Sequence, residues 1–325
     1  MNRILDTLRE ARRERSTRQF EVPQESCSGP LPFQVLTVTS NKGGVGKTTV
    51  AANLAVYLRA LREDVPVLLL GLDEQLLIDR MFAIGSGIPA VTVAGALRDG
   101  SFASAVRLGQ YGVHYVPSSP HISKLKLEIA DVLHLQKALL RSGWHGLVII
   151  DTKSDFEILT RNAVVASDLC IVVVNDHASL HEARRVFEFL DQRGRGPDGA
   201  RVLFSLMDLR VRYREEGTQD ILALLLSEVR RRGYPHFPTF ISRSPKVESL
   251  YTNPSGRALS VLHGAQGSIV HRQMRYLAGD VLEALESLDA SASAPGLPAL
   301  AEPRGGLGGS PAEHAFSHRR SSSVP

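Results

Sequence analysis

The run Ser40–Thr49, SNKGGVGKTT, limits what this chain can fold into more than any other feature. It follows an apolar, β-rich run, Phe33–Val38 (FQVLTV), and opens a helix-patterned one, Thr48–Leu61. A strand, a glycine-rich turn and a helix build an anion cradle, because the turn's backbone N–H groups and the positive helix end face the same point. Gly43, Gly44 and Gly46 permit positive φ and let the backbone come close to a bound oxyanion, which a Cβ would hinder. The pattern assigns phosphate contacts to Gly43, Gly44, Val45, Gly46, Lys47 and Thr49. Within it the Lys47 ammonium reaches the β- and γ-phosphates and the Thr48 hydroxyl ligates Mg²⁺.

The general P-loop pattern, G-x-x-x-x-G-K-[ST], asks for glycine at position 41, where Asn41 stands. The chain instead reads K-G-G-x-G-K-T, with a second lysine, Lys42, at the head of the loop. In this it resembles the ParA/MinD family of deviant Walker A P-loop ATPases, and among them the ParA-like partitioning and positioning ATPases. The resemblance implies ATP and Mg²⁺ as cofactors and a homodimer that closes around ATP. It also implies a catalytic part for Lys47 and for Lys42, the latter reaching across the dimer interface to the partner's nucleotide.

With 325 residues, 43% of them hydrophobic, the chain can bury one large α/β core or two small ones. No run of about eighteen apolar residues is present, and the N-terminus is basic and polar rather than a charged cap on an apolar stretch, so neither a membrane span nor a secretory signal is expected. Cys27 and Cys170 offer no disulfide framework and no metal-ligand spacing. Together these features fit a reduced, cytoplasmic protein.

Residues 1–32 read as a basic helical leader (Met1–Arg18) and a linker (Pro23–Pro32). The leader's apolar face is too short for stable membrane binding alone. From Phe33 strand and helix patterns alternate. Strands are expected at Val65–Leu72, Gly112–Pro117, Gly146–Ile150, Leu169–Val174, Arg201–Leu206 and Phe237–Ile241. Helices are expected at Thr92–Arg98, His121–Arg141, Leu180–Leu190, Asp220–Arg232 and Ser268–Leu288. Non-alternating apolar strands between helices predict an α/β fold: a doubly wound, mostly parallel sheet flanked by helices, here a P-loop NTPase domain over residues 33–289. Residues 290–325, rich in Ala, Gly, Pro and Ser, are expected to be disordered and lack the basic amphipathic helix that ends MinD-like members.

Asp151 closes the strand GLVII, at the carboxyl edge where ligands sit in open α/β sheets. It matches the family's Walker B aspartate, which implies a place beside Mg²⁺ with Thr48. DTKS stands where relatives usually read D-x-P-P, so Lys153 replaces a proline. The family's D-x-D-P-Q appears as Gly71-Leu72-Asp73-Glu74-Gln75. The resemblance gives Asp73 the role of positioning the hydrolytic water, while Gly71 replaces the first aspartate and Glu74 the proline. By resemblance the adenine pocket lies between the loop after Phe204–Leu206, near Asp208, and the loop Ser242–Pro245; neither has the asparagine common in relatives, so the base contacts stay open.

Between Arg201 and Arg275 twelve Lys+Arg stand against six Asp+Glu, which gives the second half its basic character. Arg210, Arg212, Arg214, Arg243, Lys246 and Arg272 are the candidates for a phosphate-reading surface without sequence specificity. Arg230–Arg232 at a helix end also complement the helix dipole. The resemblance implies nonspecific DNA as a partner, a nucleoid-associated location, and a ParB-like activator or cargo adaptor. Two alternatives stay open: a MinD-like or flagellar-number type switch on the membrane, and a nonhydrolysing nucleotide-dependent scaffold.

Overall fold

A computed structural model describes residues 33–85, 91–208, 210, 212–213, 219–252 and 256–293. The leader, Cys27, Arg214 and residues 294–325 of the tail lie outside the described residues.

The elements run β1 (Phe33–Thr39), α1 (Lys47–Leu61), β2 (Val67–Gly71), α2 (Leu77–Phe82), α3 (Val93–Asp99), β3 (Arg107–Leu108) and β4 (His114–Tyr115). A 3-10 turn (Ile122–Leu127) leads to α4 (His134–Arg141), β5 (Gly146–Asp151), α5 (Ile158–Ala166), β6 (Leu169–Val174), α6 (His177–Asp191) and β7 (Ala200–Phe204). A small hairpin, β8 (Arg212–Tyr213) and β9 (Gln219–Asp220), precedes α7 (Ile221–Arg231), α8 (Pro245–Ser249), α9 (Val261–Gly264) and α10 (Ile269–Ser293).

Seven strands form one sheet in the order β3-β4-β2-β5-β1-β6-β7, parallel except for the β3–β4 edge pair. Successive side chains of a strand alternate between faces, so each strand feeds two cores. Leu36 and Val38 of β1 pack with Leu69, Ile149 and Ile171 against α1 and α10. Val35 packs with Leu68, Leu70, Val148 and Ile150 against α3, α4 and α5. Cys170, Val172 and Val174 of β6 join α6 and α7. Helices on both faces bury the central strands β2, β5, β1 and β6 on both sides, which accounts for their unbroken apolar runs in the sequence.

The register gathers the site. Val38 of β1 and Gly71 of β2 both pair with Asp151 of β5, and Leu72 N–H donates to the Asp151 carbonyl at 2.8 Å. Three chain segments distant in sequence therefore end side by side on the sheet's carboxyl edge.

Three expectations need correction. The helix over His121–Arg141 is broken: Asp131 accepts the N–H of Leu133 at 2.9 Å, and Asn162 of α5 accepts that of Leu135 at 2.9 Å. A turn at Asp131 and the first-turn N–H taken by Asn162 thus set a fresh helix start, which helical spacing of Ile122, Leu125 and Ile129 could not reveal. The strand over Phe237–Ile241 is reduced to isolated bridges, Val202 with His236 and Met207 with Ser242, because Pro238 supplies no N–H to a ladder. The loop expected around Arg210–Arg214 carries Arg212 into the hairpin paired with Gln219–Asp220.

Candidate functional site

The loop between β1 and α1 turns through two left-handed glycines, Gly44 at φ +74° and Gly46 at φ +91°. Gly43 does not adopt positive φ, so of the three glycines expected there only two do. A Cβ on Gly46 would sit 3.1 Å from Ser205 Oγ, whereas one on Gly44 would meet nothing within 4 Å. Among the described residues no side chain caps α1 and its first turn holds no acid, so the N–H groups that a helix start leaves without partners face the cradle. Val45 is fully buried and anchors the loop in the core.

Lys47 is buried and donates to Ser154 Oγ at 2.6 Å and to the Lys42 carbonyl at 3.3 Å. Burial pulls its ammonium below the usual lysine range, while Asp151, Asp73 and Asp155 oppose that pull. Asp151 is 1% exposed, and burial pushes its carboxyl up to about 7 against a hydrogen bond from the Thr48 hydroxyl and the charge of Lys47. Its Oδ1 is buried with no hydrogen-bond partner. A carboxylate oxygen without a partner, beside a threonine hydroxyl and behind an anion cradle, suits a hard divalent cation held between protein oxygens and phosphate.

Asp73 is partly buried on the rim and accepts the Glu74 N–H at 2.7 Å. It lines a cleft of about 360 Å³ together with Gly44, Gly46, Lys47, Thr48 and Thr49. Gly71, where the family pattern has an aspartate, has a structural reason: an added Cβ would lie 2.7 Å from Ile78 Cδ1, a buried atom of α2.

The far end of the cleft is lined by Ser242 and Ser244 of one expected base-pocket loop, by Ser205 and Leu206 from the run that precedes the other, and by Tyr251 and Met274, which sequence reasoning missed. Leu206 takes φ +56°, an uncommon conformation for a γ-branched residue. The Tyr251 hydroxyl bonds to Asn53 at 2.8 Å and to Thr49, tying the loop before α9 to α1. No spacing in the sequence marks Tyr251, since it reaches α1 across 198 residues. Asp208 turns away from the cleft to Arg210.

Lys42 does not point into open solvent. Its ammonium is ion-paired in the same chain with Asp176, the N-cap of α6. Asn41 adds a second tie, donating to the Glu182 carbonyl of α6 at 3.2 Å.

The basic candidates divide. Arg210 is held by both Asp208 oxygens at 2.8 and 2.7 Å, and Arg243 pairs with Glu248 at 3.2 Å. Lys246 on α8 and Arg272 on α10 are exposed. Ser242 joins these elements, its N–H donating to Gln273 Oε1 at 3.0 Å, one residue from both Arg243 and Arg272. Arg231 and Arg232 are both bound to Glu228, which favours the structural reading of the 230–232 cluster.

A family model described as an AAA domain matches residues 33–192. The chromosome-partitioning ATPase Soj of Thermus thermophilus is 32% identical over 139 residues, 43% of this chain and 53% of that protein, so the match spans about half of that relative. The chromosome partitioning protein ParA of Caulobacter vibrioides is 27% identical over 206 residues, 59% of this chain and 76% of its own length. Among solved structures, cobyrinic acid a,c-diamide synthase of Mycobacterium smegmatis superposes with a TM-score of 0.61 at 24% identity, covering 78% of this chain and 96% of that one, a likeness of fold. With the K-G-G-x-G-K-T loop set on a parallel sheet and partition ATPases among its sequence relatives, the chain is similar to P-loop ATPases of the ParA/MinD type.

Proposed function

We propose that this chain is a ParA-like ATPase that dimerises on Mg·ATP, holds nonspecific DNA while dimeric, and lets go after hydrolysis. The observation that carries the reading is the orphaned Asp151 Oδ1 beside the Thr48 hydroxyl, directly behind a loop of outward N–H groups headed by Lys42. The Mycobacterium smegmatis synthase of the same fold was solved with an ATP analog and magnesium. Mg²⁺, when bound, neutralises charge on the phosphate oxygens. Thr48 and Asp151 would hold it. Backbone groups of Gly43–Gly46 with Thr49 grip the phosphates, and Lys47 offsets the charge that grows on them during transfer. Asp73, on the cleft rim, orients the attacking water. Lys42 leaves Asp176 to meet the partner's phosphates as the dimer closes.

DNA would be held by Arg243, Lys246 and Arg272, with Arg210, Arg212 and Arg214 contributing from the 208–220 segment. Joining two copies doubles the phosphate contacts and makes affinity steeply salt-dependent. Such a nucleotide-timed grip serves to move or position DNA or protein cargo, with a ParB-like partner accelerating release; the relatives named for chromosome partition support that reading.

The test is binding to a nonspecific duplex at fixed low salt with ATP, ADP or no nucleotide. The expected result is binding that requires ATP and whose salt slope falls by about 0.9 for each phosphate contact removed in Arg243→Ala, Lys246→Ala and Arg272→Ala. Binding in no nucleotide state would overturn the DNA part of the reading.

A further inference from the structure

The two departures from the family pattern that the site leaves unused meet each other in space. Glu74 and Lys153 each stand where a proline is common, and Lys153 Nζ lies 3.7 Å from Glu74 Oε2. Lys153 also donates to Ser123 Oγ at 2.9 Å, and Ser123 in turn hydrogen-bonds the Glu74 carboxylate. Ser123 and then Lys153 hold that carboxyl below its ordinary range. Three segments converge here: the loop after β2, the loop after β5, and the 3-10 turn Ile122–Leu127. The same turn supplies Lys126, which is ion-paired with Asp155 at 2.8 Å and also with Glu157.

These contacts sit next to the groups that would do the chemistry. Asp73 Oδ1 is held by the N–H of Glu74, so the seat of Glu74 sets the seat of Asp73. Lys153 follows Asp151 by two residues, and Thr152 N–H is fixed to the Val38 carbonyl at 3.2 Å. A pair of prolines would stiffen the two loops separately, each through its own fixed φ. Here the stiffness comes from a bridge between them, which either loop can lose only together with the other.

We propose that Glu74, Lys153 and Ser123 form a bridge joining the two catalytic loops into one unit, with Glu74 and Lys153 acting as positioning residues for Asp73. The turnover part of this rests on the nucleotide reading above; the bridge itself does not. An ion pair this exposed, at 33% and 42%, is a modest tether, so its loss shifts the positioned population by about two- to fivefold.

The experiment uses the full chain and four variants: Glu74→Gln, Lys153→Met, Lys153→Arg, and the exchange Glu74→Lys with Lys153→Glu. Hydrogen exchange without nucleotide is read over residues 74–77 and 153–157. Each neutralising variant is expected to speed exchange in the opposite loop as well as its own, with the exchanged pair and Lys153→Arg restoring protection. Loosening confined to the mutated loop, or no restoration in the exchanged pair, overturns the bridge. In parallel, kcat for ATP is expected to fall about two- to fivefold in the neutralising variants with KM unchanged, and to recover in Lys153→Arg. A wild-type chain that binds no Mg·ATP would sink the nucleotide reading, while exchange would still decide the bridge.

Discussion

Lys42 and Asp176, 134 residues apart, form an ion pair within one chain, and Asp176 at the same time caps α6 through the N–H of Ser179 at 2.8 Å. The lysine assigned to a partner's phosphates is therefore engaged in cis when the chain is alone. Closing a dimer through Lys42 has to break this contact first.

Asp176→Asn separates the two duties of that residue. Asparagine caps a helix as well as aspartate does, so α6 is retained while the charge is lost. A pair this exposed is worth up to about 1 kcal/mol and a closing dimer gives up two of them, one per protomer, so the ATP-dependent dimer is expected to form at a protein concentration lower by up to roughly 30-fold. Sedimentation across a concentration series reads this directly; an unchanged midpoint would show that the pair does not oppose dimerisation.

Asp73→Ala removes the carboxylate that faces the cleft without touching Thr48 or Asp151. Turnover is expected to drop about 10²-fold or more while Mg·ATP binding persists. The ATP-bound complex on DNA should then outlive that of the unaltered chain, measured as a dissociation rate after competitor is added.

Gly71 is a steric matter. Gly71→Ala is expected to destabilise the fold by about 1–3 kcal/mol through overpacking against Ile78. Ile78→Val deletes Cδ1, the atom the new Cβ would strike. The double variant should therefore be more stable than the sum of the two single losses, in denaturant titrations at one temperature. Additive losses would place the strain elsewhere.

His114 supplies one pH dependence of stability. Burial, with Arg59 adding to it, pulls its imidazole down to about 4, its Nδ1 lacks a partner, and Trp144 stacks edge-on at 5.1 Å. The folded state thus binds fewer protons here than the unfolded state between the unfolded value near 6.5 and the folded value near 4. The stabilisation is complete above pH 6.5 and is lost as pH falls through that window, on the order of 3 kcal/mol in all. Asp151, raised to about 7, has the opposite dependence in this window, so His114→Phe is expected to shift the pH 7 minus pH 5 difference in melting temperature downward relative to the unaltered chain; an unchanged difference would show that His114 does not titrate this way.

The fold was largely readable from the chain because its strands are short apolar runs buried on both faces, and such runs keep their meaning without knowledge of neighbours. The P-loop was readable for the same reason: strand, glycine turn, Lys47 and Thr48 are contiguous, so their geometry is local. Helix ends were less so. The break before α4 depends on Asn162, a side chain brought from α5, whereas the strand lost after His236 traces to Pro238, which stands in the run itself.

What the sequence determined by itself is the glycine turn between β1 and α1, the parallel sheet and the acid at the end of β5, since each is encoded in a few adjacent residues. What only the tertiary structure decided are the pairings: Lys42 with Asp176, Tyr251 with Asn53, Glu74 with Lys153, Ile78 filling the space beside Gly71. Hydrogen bonds, ion pairs and steric contacts act over a few ångströms, and the distances that place these partners within reach are fixed by sheet register and helix packing rather than by separation along the chain.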